Sequence, residues 1–160
     1  MNGPMRPAPC SSALLVGRER LEAYLPHRDA MSLLAGVCAY DRDTIECFAT
    51  GHRDPAHPLR ARGRLGAACA IEYAAQAMAV HGALCDDRPG PPAGALLAVR
   101  DVRLQVARLD DQDEDLLIYC HRLAYDRRIA GYRFLVSTAS QPLASGRATV
   151  QFTAPGGRVP

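Results

Sequence analysis

Residues 67–84 read AACAIEYAAQAMAVHGAL and form the longest apolar run in the chain. As a helix, such a run would be roughly 27 Å long, but it is rich in alanine and carries Glu72, Gln76 and His81, which a lipid-facing span rarely accepts. The pattern predicts a buried helix of a soluble protein and no membrane span. The small alanine side chains would let strands approach this helix closely on more than one side.

Strand-like segments lie on both sides of this helix in the sequence. Residues 33–40 and 44–50 are apolar or β-branched runs separated by a short charged stretch, the pattern of a β-hairpin. Four further strand-like segments follow the helix: ALLAVRDVRLQVARL, LLIYCHRLAY, IAGYRFLVSTA and PLASGRATVQFTA. One long helix and about six mainly antiparallel strands predict an α+β domain in which the sheet wraps the helix.

The chain of 160 residues has the length of one domain with a sizeable core. We expect a disordered leader over residues 1–16, a single domain over 17–153 and a flexible tail over 154–160. A short helix is expected over 17–24, ended by Pro26.

Composition excludes several function classes. The net charge is +2, and all 19 basic residues are arginine without a strand-binding pattern of interleaved aromatics, so nucleic-acid binding is not expected. The six cysteines form no CxxC pair, which predicts no metal site and no disulfide, but reduced thiols in a cytoplasmic protein. No GxSxG, P-loop or dinucleotide fingerprint is present.

Glu72 is the first candidate for chemistry, because burying a carboxylate costs several kcal/mol unless it is paired or protonated. On a helix, Glu72 shares a stripe with Ala68, Cys69 and Gln76, and this stripe could line a narrow polar slot. Alternatively, the glutamate faces solvent or a loop arginine. The spacing alone favours the two interpretations about equally.

The loop before the helix, GHRDPAHPLRARGRLG, carries two histidines, His52 and His57. A loop histidine beside a helix carboxylate would form an acid/base pair, although such histidines are more often solvated. The helix start near Gly66 and Ala67 would present unpaired N–H groups able to polarise a carbonyl. His81, near the end of the helix, is expected to be structural.

Two segments carry a resemblance to a known family. LPHRDAMSLLAGV and AIEYAAQAMAVHG resemble, in the same order and with similar separation, motifs of the 3-hydroxyacyl-[acyl-carrier-protein] dehydratases, which have the hot-dog fold. The sequence GRL followed by IEYAAQ is similar to the dehydratase-like proteins of aryl-polyene pathways. The resemblance extends over residues 18–152.

The resemblance implies roles for individual residues. Glu72 matches the helix glutamate that helps the hydroxyl leave as water. His57 is the best match for the histidine that removes the α-proton, with His52 as the alternative because it follows the glycine of the family's GH motif. Gly66 approximates the backbone position that binds the thioester carbonyl. Neither histidine is followed by the aromatic residue of the family pattern.

The implied activity is dehydration of a 3-hydroxyacyl thioester on an acyl carrier protein, without metal or cofactor, by a homodimer or a heterodimer with a related subunit. The alternatives are a thioesterase of the same fold and a non-catalytic partner of an active dehydratase. Arg60, Arg62 and Arg64 would receive the carrier's acidic surface or its phosphopantetheine phosphate, or would simply form a solvated basic loop.

Overall fold

The computed structural model describes residues 14–25, 29–86 and 93–153. Two α-helices are present there, α1 (Arg18–Leu21) and α2 (Ala70–Asp86), with short 3-10 turns over Asp29–Met31, Gly51–Arg53 and Ala67–Cys69. The strands are β1 (Val16–Gly17), β2 (Gly36–Tyr40), β3 (Thr44–Ala49), β4 (Ala93–Leu104), β5 (Leu116–Asp126), β6 (Ile129–Ser137) and β7 (Pro142–Thr153).

The strands form one seven-stranded sheet in the order β1-β2-β3-β5-β6-β7-β4, and all paired neighbours are antiparallel. The predicted hairpin is present as β2 and β3. Its turn is closed by Asp41, whose carboxylate accepts the N–H groups of Asp43 and Thr44 at 2.8 and 2.7 Å. These bonds lower the pKa of Asp41, because they stabilise its ionised form.

Helix α2 packs against β3, β5, β6 and β7. Ala70, Ala74 and Ala77 are completely buried at this contact, as the small side chains of the apolar run predict. Near the helix end, a Cβ on Gly82 would lie 2.8 Å from the ring of Phe152, so only glycine permits this approach. The α+β hot-dog architecture, one long helix wrapped by an antiparallel sheet, is therefore confirmed.

The end of α2 is joined to the sheet by His81, which is fully buried. Its Nε2 lies 2.9 Å from the carbonyl oxygen of Asp41, and its Nδ1 lies 2.9 Å from the hydroxyl of Tyr132. A carbonyl only accepts, so Nε2 carries the proton and Nδ1 accepts from the tyrosine. Burial lowers the pKa of His81, which is neutral and structural.

Several element boundaries differ from expectation. Helix α1 ends at Leu21, three residues before the predicted end, and α2 continues to Asp86. Strand β1 was not predicted, and its Val16 is buried one residue before the predicted domain start. Pro26, His27 and most of the predicted leader lie outside the described residues, as does the tail from residue 154.

The cysteines require a correction. The sequence predicted six reduced thiols, but Cys38 on β2 is disulfide-bonded. Cys47, Cys69, Cys85 and Cys120 are free. CxxC spacing concerns only cysteines that are neighbours in the sequence, whereas a disulfide depends on distances in the folded chain.

Candidate active site

The helix part of the site is the pair Glu72 and Gln76, which lie one turn apart on α2. The Gln76 amide donates to the carboxylate of Glu72 at 3.1 Å and to the carbonyl of Met31 at 2.7 Å, and its oxygen accepts the N–H of Leu33 at 2.9 Å. Gln76 is buried and Glu72 is half-buried. Gln76 therefore anchors the segment before β2 to the helix and orients a carboxylate that still reaches solvent.

His57 contacts the same helix one residue further along. Its Nδ1 accepts the N–H of Leu59 at 3.2 Å, so in the neutral ring Nε2 carries the proton and donates to the hydroxyl of Tyr73 at 2.9 Å. His57 is 8% exposed. Burial, with the nearby Arg60 guanidinium as a smaller cause, lowers the pKa of His57 and keeps the ring neutral.

His52 lies at the other end of the loop and is completely buried. Its Nε2 donates to the carbonyl of Gln112 at 2.9 Å, which leaves Nδ1 as an unprotonated nitrogen without a partner among the described residues. Burial lowers the pKa of His52. His52 therefore holds a free basic nitrogen, but that nitrogen is not open to solvent.

The segment that enters α2 is held by Asp110, whose carboxylate is 2% exposed. It accepts the N–H of Leu65 at 3.0 Å, bonds Arg108 at 3.0 Å and lies 3.4 Å from Arg60. These contacts hold the pKa of the Asp110 carboxyl well below its usual range, with Arg108 as the largest cause. Asp110 could not be singled out from the sequence, because two of its three partners, Leu65 and Arg60, lie about 45 and 50 residues away along the chain.

The backbone donors at the helix start differ from one another. The N–H of Ala67 is occupied, since it donates to the carbonyl of Ala107 at 3.1 Å, so the expectation of an unpaired group there is wrong. In the part of the chain that the structure describes, the N–H of Gly66 has no acceptor. The N–H of Gly66 is therefore available to a substrate carbonyl.

The three loop arginines occupy two environments. Arg60 has a side chain only 16% exposed, which contacts Asp110 and donates to the carbonyls of Arg53 and Gly63. Arg62 and Arg64 are exposed on a tight turn closed by paired backbone bonds between Ala61 and Arg64. Arg62 and Gly63 both have positive φ, 53° and 73°, as a two-residue hairpin turn requires. Arg60 thus serves the loop's own structure, and the other two are free to meet a partner.

Within the described ranges, no hydrogen bond or ion pair joins Glu72 to either histidine. His57 is nonetheless tied to Glu72's neighbour, Tyr73, whereas His52 is tied to the 109–115 loop. The sequence missed Tyr73 as a partner, although its position next to Glu72 in IEYAAQ was a usable signal. No group of three or more His, Cys, Asp and Glu side chains in the described residues is arranged to hold a metal.

Residues 19–155 match the model of the ApeP-like family, described as ApeP dehydratase. The chain belongs to this family. It is also similar to a solved structure, the dehydratase heterocomplex ApeI:P from Xenorhabdus doucetiae, at 29% identity and a TM-score of 0.74 over 84% of this chain and 91% of that one. No curated protein matches significantly.

Thioesterases share the fold at lower identity. A Haemophilus influenzae thioesterase has 14% identity and a TM-score of 0.56 over 77% of this chain and 80% of its own. Zebra fish thioesterase superfamily member 2 has 18% identity and a TM-score of 0.57 over 84% of this chain and 92% of its own. No helix in the described parts of this ApeP-like chain is long and apolar enough to cross a membrane.

Proposed function

We propose that this ApeP-like chain acts in the dehydration of a 3-hydroxyacyl thioester carried by an acyl carrier protein, giving a trans-2-enoyl thioester in fatty-acid-like or aryl-polyene synthesis. The observation that carries the proposal is Glu72, a half-buried carboxylate that Gln76 orients on α2. Just before the 3-10 turn that leads into this helix, the N–H of Gly66 has no acceptor among the described residues. Membership of a dehydratase family supports the reaction class.

In the proposed step, a base removes the proton from C2 of the substrate while the N–H of Gly66 stabilises negative charge on the thioester oxygen. The electron pair of the C2–H bond forms the C2–C3 double bond. The C3–O bond breaks, and protonated Glu72 gives its proton to the departing hydroxyl, which leaves as water. The base and Glu72 then exchange one proton to restore the starting state. No metal or cofactor takes part, and the localisation we expect is cytoplasmic.

His57 is the base that we propose for this step. It lies beside α2, next to Glu72's neighbour Tyr73, and its lowered pKa favours the neutral ring that a base needs. In the resting chain its Nε2 carries the proton. Nε2 can therefore accept the C2 proton only in the other tautomer, in which Nδ1 carries the ring proton and the hydrogen bond from the Leu59 N–H is lost. Nε2 then takes the proton directly, or from the Tyr73 hydroxyl as that hydroxyl takes the C2 proton.

A second candidate function is that of a non-catalytic subunit that pairs with an active dehydratase. It is favoured by the state of the two histidines, because both ring nitrogens of His57 have protein partners and the free nitrogen of His52 is buried. The heteromeric state of the ApeI:P complex supports the same candidate.

Dimer formation is proposed through strand β4. It lies at the end of the sheet, so its outer edge has no strand partner in the described part of the chain. Four apolar side chains on it are 38–51% exposed: Leu96, Leu97, Val102 and Leu104. A long apolar edge strand is a template for pairing with another chain. The partner is a second copy or a related subunit.

The test is mass spectrometry of a 3-hydroxyacyl carrier protein incubated with purified protein, alone and together with a co-expressed dehydratase subunit. Loss of one water supports dehydration, release of free acid indicates a thioesterase, and product formed only with the partner's own site intact indicates the non-catalytic role. Glu72→Gln should lower dehydration about 100-fold or more. The matched control is Glu46→Gln on strand β3, which should change it little. Equal rates for both variants would refute the role of Glu72.

A further inference from the structure

The outer face of the sheet, opposite α2, carries a concentrated positive charge. Directly paired positions on neighbouring strands share one face. The register places Arg100 of β4 opposite Arg147 of β7, and Arg147 opposite Arg133 of β6. Arg103 pairs with Ser145 on the same face. Four guanidinium groups therefore lie close together on three adjacent strands.

This arrangement is unfavourable without a counter-charge, because like charges directly opposite each other destabilise a sheet. Among the described residues only Asp101 compensates, at 3.7 Å from Arg147, and both side chains are more than half exposed. No acidic partner of Arg100, Arg103 or Arg133 occurs in the part of the chain that the structure describes. The cluster keeps a net positive charge that a bound anion would neutralise.

Three of these arginines, Arg103, Arg133 and Arg147, line a groove of about 610 Å³. Its walls are Asp101, Val102, Arg103, Arg133, Phe134, Leu135, Ser145, Gly146 and Arg147. The volume falls within the ~300–1,000 Å³ of small-molecule sites. Besides three guanidinium groups, the groove offers the Ser145 hydroxyl as a further donor.

The backbone is irregular at this groove. Strand β4 has a register shift between Arg100 and Arg103, and Asp101 within it has a positive φ of 53°. Bulges of this kind re-aim side chains and occur often beside functional sites. A positive φ is uncommon for a residue other than glycine, although asparagine and aspartate adopt it more often than most. The irregularity coincides with the charge cluster.

We propose that this groove is a binding site for a phosphate-bearing small molecule, with Arg103, Arg133 and Arg147 as its ligands. Guanidinium groups present paired N–H donors that match phosphate oxygens, which suits a ligand with two or more adjacent phosphates. Asp101 contacts Arg147 at 3.7 Å and would compete with the anion for it. The site is separate from Glu72, which lies on the helix at the other face of the sheet, and it does not depend on the proposed reaction.

Isothermal titration of the full chain with pyrophosphate at low ionic strength tests the site. Wild type should bind one pyrophosphate, and Arg133→Gln/Arg147→Gln should weaken binding about tenfold or more. The matched control is Arg127→Gln/Arg128→Gln, which removes the same charge from the exposed turn between β5 and β6 and should change affinity less than about twofold. Absence of saturable binding, or equal weakening in the two double variants, would overturn the proposal.

Further titrations identify the kind of molecule that carries the phosphate and the role of Asp101. ADP binding as tightly as pyrophosphate indicates a nucleotide, whereas tighter binding to vesicles containing a phosphorylated lipid indicates a headgroup. Tighter binding of a polyglutamate peptide than of pyrophosphate would contradict a phosphate site. Asp101→Asn keeps a residue that tolerates positive φ and should tighten pyrophosphate binding a few-fold, about the effect of one exposed charge. Weaker binding in Asp101→Asn would contradict the competition.

Discussion

Two histidine–tyrosine pairs of this protein have the same 2.9 Å separation but different surroundings. In the pair of His81 and Tyr132, the tyrosine donates to the ring and the other ring nitrogen donates to a backbone carbonyl. In the pair of His57 and Tyr73, the ring donates to the tyrosine. The hydroxyl proton of Tyr73 then finds no acceptor among the described residues.

The difference indicates how one motif serves two purposes. The His81 pair is closed, since each polar atom has a protein partner, and it joins the helix end to the sheet. The His57 pair joins the loop to α2: the ring is 8% exposed, and the buried hydroxyl of Tyr73 keeps one proton without an acceptor among the described residues. A closed pair contributes stability, whereas an open pair is available for chemistry.

The largest expected effect is on activity at the open pair. His57→Ala should lower the rate of enoyl formation by about 10²–10⁴-fold, because it removes the proposed base. The assay is mass spectrometry of the carrier-bound product, with the active partner present if turnover requires it. His121→Ala, on the outer sheet face, is the control and should keep the wild-type rate. If His52→Ala lost enoyl formation while His57→Ala kept the wild-type rate, the base would be His52.

The pair of His81 and Tyr132 should contribute more to the free energy of unfolding than the pair of His57 and Tyr73. His81→Ala removes a fully buried ring and leaves the Tyr132 hydroxyl and the Asp41 carbonyl without their partner, so the free energy of unfolding should fall by about 3 kcal/mol. Urea denaturation measures it. The rate per folded molecule should stay near that of wild type. If His81→Ala lowered the free energy of unfolding less than His57→Ala does, the distinction between the two pairs would be contradicted.

Tyrosine-to-phenylalanine changes compare the pairs with little change of shape. Tyr132→Phe leaves the buried Nδ1 of His81 without a donor and should cost about 1–3 kcal/mol. In Tyr73→Phe the ring of His57 is 8% exposed, unlike that of His81, and can turn its Nε2 proton towards water, so the expected cost is nearer 1 kcal/mol. Thermal unfolding of both variants decides the order. If the two variants lost equal stability, the polar atoms of the His57–Tyr73 pair would be as fully bonded as those of the His81–Tyr132 pair.

The smallest effect is on the pH dependence of stability. Burial lowers the pKa of His81 below its ordinary value, so the unfolded chain takes up a proton at higher pH than the folded one. The contribution of neutral His81 to the free energy of unfolding is complete above the histidine pKa in the unfolded chain, about 6.5. It is lost as the pH falls towards the lower pKa that His81 has in the folded chain. His81→Gln should flatten the fall of the thermal midpoint between pH 7.5 and pH 5. If the thermal midpoint of His81→Gln fell with pH as steeply as that of wild type, the pH dependence would come from His52 and His57, whose pKa burial also lowers.

Part of the site was predictable from the sequence, because Glu72 and Gln76 are one helical turn apart and their relation follows from helix geometry alone. Their bond is present at 3.1 Å. Relations across the fold were not predictable. Asp110 and Leu65 meet only because residues 107–109 pair with 65–67, and the same pairing occupies the Ala67 N–H that the sequence left free.

The sequence by itself determined the buried helix, the hairpin before it and the strands after it, because hydrophobic periodicity and turn residues act over short distances. It also identified the dehydratase family. Only the tertiary structure decided which histidine–tyrosine pair has all its polar atoms bonded, that Cys38 is in a disulfide, and that four arginines from three strands share one face of the sheet. These features depend on strand register and burial, which arise when segments far apart in the chain pack together.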